Sequence, residues 1–403
     1  MSSAGPAGSS GNPSSRRRLL VESWRFVPHS YAMVNQHQCV EILKRPEIEL
    51  YHRDAPYYRD NWRPLPGLTD VVAESAVQAI PPLPGDVPAD AVLRMSFPYN
   101  FAPSPCPRLF VFGTAEHRAV PKHYVAGQKS LAQAVLDNPA AQIITPSNWS
   151  REGYIHSGAP AERVHVVPHG VDVNVYHPLS EQQRQALRPK AQWSGFVFLH
   201  VGAMTGNKGV VPLLKATAAV IAKRPQVMLM LKGIDVMYNS RLNLDEYMKA
   251  LTEAEKHLLL PRLQYNGKIF SVRDIATMHQ LADAYISPYQ SEGFNLPVLE
   301  AAATGSLVLC TKGGSTDDFT RPEFALGLPA KLENTLVNDQ TGKHLLVDRD
   351  AMIEQMMRAV DEPQLRERAR EEGPKFAREN FTWKHVTDRL LKTIFPELYP
   401  AGG

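Results

Sequence analysis

Long apolar runs are missing from this 403-residue chain. No window approaches the about 20 consecutive apolar residues of a membrane-spanning helix, so an integral membrane protein is not expected, while peripheral membrane contact stays open. Cysteine is scarce. Cys39, Cys106 and Cys310 are scattered, odd in number and never arranged as C-x-x-C, which argues against a disulfide framework and a zinc site and favours a reducing compartment, read as cytoplasmic. Acidic residues are absent before Glu22, so a short organellar transit peptide stays open; no apolar core follows Arg16-Arg17-Arg18 to make a signal peptide. Charge of one sign is not in excess either: the formal net charge is +3, and no strongly basic face for nucleic acid is implied. The glycine-rich turn 202–209 fits neither G-x-G-x-x-G nor G-x-x-x-x-G-K-[ST]. Nicotinamide-cofactor and P-loop ATPase readings are weakened accordingly.

What is present suits two α/β domains, with 43% hydrophobic and 21% charged residues. Residues 1–15 are poor in apolar side chains and read as a disordered tail. A strand at 18–23, a loop at 24–30, a helix at 31–44 and a strand at 47–52 make a βαβ opening. Its loop places His29, Ser30 and Tyr31 where a strand's C-terminal end meets a helix, the edge at which open α/β sheets hold ligands. From 55 to 107 prolines are frequent and only 90–96 reads as a strand; Tyr57, Tyr58, Trp62 and Arg63 there either stack on a sugar or pack the loop. The strand 108–114 runs into Ala115-Glu116-His117-Arg118, and His117 is a catalytic candidate. A polar stretch puts the domain boundary at about residue 190. A second α/β series starts at Phe196, with a strand at 227–232 ending in Lys232, a helix at 244–260 and a strand at 284–287. Charged helices from 350 to 392 close the chain, with Trp383 anchoring the last.

The strand at 284–287 delivers the chain into Ser291-Glu292-Gly293-Phe294-Asn295-Leu296-Pro297-Val298-Leu299-Glu300-Ala301. A loop with glycine, then proline at a helix start, describes a helix N-terminus able to hold an anion on its free N–H groups and its dipole. Gly293 would let the backbone approach a phosphate. Eight residues of continuous helix would separate Glu292 from Glu300 by about 12 Å, more than the roughly 5–9.5 Å of a glycoside-hydrolase pair. They read as two hydroxyl acceptors flanking a phosphate, against the plainer reading of a solvated helix start. Asp348-Arg349-Asp350 spells a metal-binding D-x-D, but its place before an amphipathic helix favours capping.

Taken in order, Thr145-Pro146-Ser147, Val166-Val167-Pro168-His169-Gly170-Val171-Asp172, Val201-Gly202 with Lys208-Gly209, Ala282-Asp283-Ala284, Glu292-Gly293-Phe294 through Glu300-Ala301, and Gly313-Gly314 resemble the motifs of retaining GT-B glycosyltransferases, glycosyltransferase family 4 in particular. The resemblance implies two Rossmann-like domains facing a central cleft, 16–190 on the acceptor side and 191–380 on the nucleotide-sugar side, with a C-terminal helix, 381–403, returning to the first. It implies transfer of a hexose-type sugar from a UDP- or GDP-linked donor to a sugar, lipid or protein acceptor, with no cofactor and no divalent metal. Glu292 would meet the donor sugar, Glu300 the ribose hydroxyls, and the N–H groups of Phe294, Asn295 and Leu296 the diphosphate, beside Gly202 and Gly293. Glu292, Lys208 and His117 are then the catalytic candidates, and His29, Ser30 and Tyr31 lie on the acceptor side. One departure stands out. The family's arginine after the glycine is Ala203 here, leaving Lys208, with Lys232 expected as the second charge. A GT-B nucleotide-sugar epimerase and a non-catalytic sugar-binding or scaffold protein are the alternatives.

Overall fold

The computed structural model describes residues 16–85 and 87–399; the tail expected at 1–15 lies outside them. The chain builds two six-stranded parallel sheets. The first contains β1 (Arg17–Ser23), β2 (Ile48–Asp54), β3 (Ala91–Met95), β4 (Leu109–Phe112), β5 (Ala141–Thr145) and β6 (Val164–Val166), in the order β2-β1-β3-β4-β5-β6. The second contains β7 (Phe196–Val201), β8 (Val227–Lys232), β9 (Leu263–Asn266), β10 (Ala284–Ser287), β11 (Leu307–Thr311) and β12 (Ala325–Leu328), in the order β12-β11-β10-β7-β8-β9. Runs such as Phe196-Val197-Phe198-Leu199 are apolar without alternation because helices cover both faces of a parallel sheet; Val197, Phe198 and Leu199 are fully buried.

Strand order fixes where a ligand can sit. In each sheet the order reverses around the strand that comes first in the chain, β1 between β2 and β3, β7 between β10 and β8. The loops leaving those strands diverge and open a crevice at the carboxyl edge. The two Rossmann-like domains turn these crevices toward one another. The helix Trp383–Ile394 returns to the first domain: Trp383 stacks on His37 at 4.7 Å, and Arg108 Nη1 donates to the Ile394 carbonyl at 2.8 Å. Val386, Leu390 and Leu391 of this helix join the first domain's core.

Four local departures from expectation have local causes. The helix expected over 244–260 is two helices, Ser240–Met248 and Glu253–Leu259, because Thr252 and Glu255 form a capping box that starts the second. The proline-rich segment holds a helix, Val71–Gln78, capped by Asp70. The polar stretch near the expected boundary folds as Glu181–Leu187, and Arg184 donates from it to the Gln280 and Leu281 carbonyls, so this helix packs on the second domain. A hairpin, β13 (Ala330–Val337) and β14 (Gln340–Val347), reaches the first domain, where Lys343 N donates to the His117 carbonyl at 2.6 Å. Among the described residues no helix is long and apolar enough to cross a membrane.

Candidate active site

The turn after β7 passes through Gly206–Lys208 and ends on Gly209, whose φ of 68° is left-handed and whose Cβ position would overlap the Pro288 carbonyl. Glycine is thus needed for contact with the loop after β10, which accounts for a Lys-Gly pair outside any phosphate-loop signature. Asn207 ties the two loops together: its carbonyl accepts from Gln290 N at 2.7 Å and its amide donates to the Ser291 carbonyl at 3.0 Å. The second loop ends on Asn295 at φ 73°, a conformation asparagine tolerates better than most residues, with its amide donating to Ser287 Oγ at 2.9 Å. The helix Leu296–Ala303 starts there with Pro297 in its first turn, and the first N–H groups of such a helix have no intrahelical acceptor.

Lys208 Nζ pairs with Glu292 Oε1, and Glu292 is only 7% exposed. Burial opposes the charge on Lys208, but Glu292 and then Glu116 outweigh it and hold the ammonium above the ordinary lysine value. Burial likewise pushes the Glu292 carboxyl up, with Lys208 as the main opposing influence. The two form a buried ion pair whose partners depend on each other. Gly293 also has a packing task. Its Cβ would stand 2.6 Å from Thr114 Cγ2, and its carbonyl accepts from Ser147 Oγ at 2.6 Å, so the absence of a side chain admits the first domain. Glu300 lies in the second turn of its helix, whose first turn carries no acidic residue; its Oε2 is 3.7 Å from Nε2 of the fully buried His279.

Both domains line one cavity of about 740 Å³ between them. Its wall includes Gly202, Lys208, Glu292, Gly293, Phe294, Asn295, Leu296 and Glu300 from the second domain, and His29, Ser30 and Tyr31 from the first. His29 caps its helix by accepting from Tyr31 N at 3.1 Å, and burial lowers its pKa to about 4; Tyr31 Oη lies 3.1 Å from Thr114 Oγ1. Two expected residues stand apart. Lys232 lines an adjoining pocket of about 220 Å³ with Glu300 and Phe270, because burial and the carbonyls of Gly233 and Lys268, at 2.5 and 2.6 Å, hold its ammonium there. Burial lowers its pKa to about 8. His117 is not among the cavity-lining residues; its Nε2 lies 3.1 Å from Ser291 Oγ under the β13–β14 hairpin.

Sequence reasoning passed over two residues that the cavity does contain. Glu116, the neighbour of His117, lines it and accepts from Asn207 Nδ2 at 3.4 Å. His169 lines it at 4% exposure, edge to face with Phe294 at 4.9 Å, and burial lowers its pKa to about 3, so the ring is neutral. Its signal was the Pro168-His169-Gly170-Val171-Asp172 motif, whose glycine has a packing cause: a Cβ on Gly170 would sit 2.8 Å from Trp383 N. Among the described residues, the lining holds two lysines or arginines, Arg59 and Lys208, and four carboxylates, Glu116, Asp172, Glu292 and Glu300.

Residues 183–376 match the family described as "Glycosyl transferases group 1". Mannosylfructose-phosphate synthase of Agrobacterium fabrum is 25% identical over 258 residues, 60% of this chain and 51% of that protein. A D-inositol 3-phosphate glycosyltransferase of Pseudarthrobacter chlorophenolicus is 29% identical over 187 residues, 45% of this chain and 41% of that one. The chain thus spans about half the length of these curated relatives. Among solved structures, Anabaena HepE in complex with UDP and glucose superimposes with a TM-score of 0.66 at 16% identity, covering 94% of this chain and 99% of that one, a likeness of fold. Residues 183–376, folded into the second of two facing Rossmann-like domains, thus carry the match to the group 1 glycosyl transferases, and the chain as a whole has the GT-B fold.

Proposed function

We propose that the chain transfers a hexose from a UDP- or GDP-linked donor to a hydroxyl acceptor, with retention of configuration and without a divalent metal. One observation carries the reading: Lys208, Glu292, the start of the helix Leu296–Ala303 and Glu300 line a single interdomain cavity. In this reading the diphosphate sits on the helix N-terminus, where N–H groups and the dipole favour an anion. Glu300, further along the helix, accepts from the vicinal ribose hydroxyls. Lys208 then exchanges Glu292 for the diphosphate, neutralising the leaving group as the glycosidic bond stretches. Glu292, released from its partner, accepts from the donor's hydroxyls and faces the positive charge that grows at the anomeric carbon. His169, neutral beside Phe294, supplies one hydrogen-bond donor or acceptor from the first domain. The complex of HepE with UDP and glucose supports a UDP-linked donor. Metal independence draws support from the helix N-terminus and Lys208 together, which supply the charge neutralisation a cation would otherwise give.

The test is thermal: a panel of nucleotide-sugars is added to the full chain, and the true donor at 100 times its Kd stabilises by about 2.7 kcal/mol. Absence of any shift across UDP- and GDP-sugars would sink the reading. A second reading, nucleotide-sugar binding without transfer, draws on the four carboxylates against two cations and on Ala203. It predicts the same thermal shift with no nucleoside diphosphate released on adding an acceptor.

A further inference from the structure

The first domain's share of the cavity wall is aromatic where the donor has no claim on it. Tyr58, Trp62, Phe97 and Tyr124 line it from three loops, those following β2, β3 and β4. The rings brace one another edge to face: Phe97 is 4.8 Å from Tyr58 and 5.1 Å from Tyr124, and Tyr58 is 6.5 Å from Trp62. Such pairs hold rings in fixed orientation while leaving their outer faces available. Tyr58 is 49% exposed, although its ring would be worth burying. Trp62 is 6% exposed, yet its indole N–H has no acceptor among the described residues. A buried donor left unpaired costs about 1–3 kcal/mol, recovered when a ligand oxygen accepts from it.

Charge narrows the ligand further. Among the described residues, the first domain lines the cavity with one lysine or arginine, Arg59, against the carboxylates of Glu116 and Asp172. Of the four histidines on this wall, burial holds His29 and His169 at about 4 and 3 and lowers His37 below its ordinary value, while His123 packs edge to face on Tyr124 at 4.6 Å. A phosphate or carboxylate on the acceptor would meet more negative charge than positive. A pyranose ring meets the opposite conditions: its C–H face suits the electron-rich face of an aromatic ring, and its oxygens suit an indole N–H.

We propose that Tyr58, Trp62, Phe97 and Tyr124 form the acceptor subsite and that it takes an uncharged saccharide in preference to a sugar phosphate. This rests on the donor reading given above. The ring stacks on the exposed aromatic faces, Trp62 donates to one of its oxygens, and a hydroxyl is turned toward Glu116 and the donor sugar.

The experiment uses the full chain saturated with UDP or GDP, with saturation-transfer NMR on methyl α-glucoside and maltose, and on glucose 6-phosphate as the charged counterpart. The neutral sugars should take up saturation on ring C–H protons, and glucose 6-phosphate should bind no tighter. Trp62→Phe keeps a ring and removes the N–H; it should weaken the neutral sugars about 3- to 10-fold, leaving nucleotide affinity within about twofold. Because Trp62 packs on Trp24 at 5.3 Å, the half-exposed Tyr58→Ala provides a second variant free of that burden, with the same expected direction. Tenfold tighter binding of the sugar phosphate, neutral binding untouched by both variants, or no binding of any of these sugars would each overturn the assignment. Failure of the donor reading shows differently, as no nucleotide binding by the unsubstituted chain, and the acceptor assignment falls with it.

Discussion

Replacing Lys208 by alanine removes the partner of a carboxylate that is only 7% exposed. Glu292 would then remain charged in the cavity wall with Glu116 as a nearby like charge. Breaking a buried pair from one side costs about 3–5 kcal/mol, and the lower end applies because the cavity opens to water. At 2–4 °C per kcal/mol for a domain of this size, Tm should fall by roughly 6–12 °C. The remedy identifies the cause. Lys208→Ala with Glu292→Gln leaves no charge to compensate and should regain most of the loss. Acidification provides a second check. Without Lys208, the Glu292 carboxyl rises further above its ordinary value; a group raised on folding contributes most below its unfolded pKa and loses that contribution as pH rises through the folded one. The deficit of Lys208→Ala, measured against the unsubstituted chain at each pH, should therefore shrink from pH 8 to pH 5. Differential scanning fluorimetry on both variants reads all of this, and a turnover assay on the single variant should show a loss of about 10²-fold. A single variant as stable as the parent, or a double variant no better than the single, would refute the buried-pair argument.

Three further outcomes are expected. The parent chain should lose stability on going from pH 7 to pH 5: His29 and His200 have pKa values lowered by burial to about 4, so the stability they contribute above about 6.5 declines toward 4, by about 2 kcal/mol each at pH 5; His29→Asn, which keeps a capping side chain, should flatten the slope, and an unchanged slope would count against it. Gly293→Ala places a Cβ against Thr114 and should cost about 1–3 kcal/mol of overpacking along with donor affinity; unchanged Tm and affinity would show that the two domains do not meet there. Nucleotide affinity should stay within about twofold in excess EDTA, whereas a tenfold loss restored by manganese would contradict the metal-free reading.

The sheets were legible because buried parallel strands are written as unbroken apolar runs, of which Phe196-Val197-Phe198-Leu199 is the clearest. The fold followed from the order of the motifs, and the helix anchored by Trp383 returned as expected. Elements outside such runs were missed. The β13–β14 hairpin has half-buried strands with mixed patterning, and Val71–Gln78 sits among prolines that mask its Asp70 cap. At the site, residues carried by the loop-to-helix motif could be read from spacing alone. Glu116 could not be told from His117, because which of two neighbours turns into a cleft depends on packing by a hairpin more than 200 residues away in sequence. Lys232 illustrates the same limit: a lysine at a strand's carboxyl end reads as a free cation, yet two backbone carbonyls occupy it.

The central claim is that the donor lies along the helix Leu296–Ala303 with its nucleoside at Glu300 and its sugar at Glu292. Calorimetric titration of UDP and GDP into the parent, Glu300→Gln and Glu292→Gln tests it most directly. Glu300→Gln should weaken the preferred nucleotide by about 1.5–3 kcal/mol, the worth of hydrogen bonds to a charged group. Glu292→Gln should not weaken it, since Lys208 is then released to the diphosphate, and its defect should appear in turnover alone. Weaker nucleotide binding by Glu292→Gln beside parental affinity in Glu300→Gln would contradict the account.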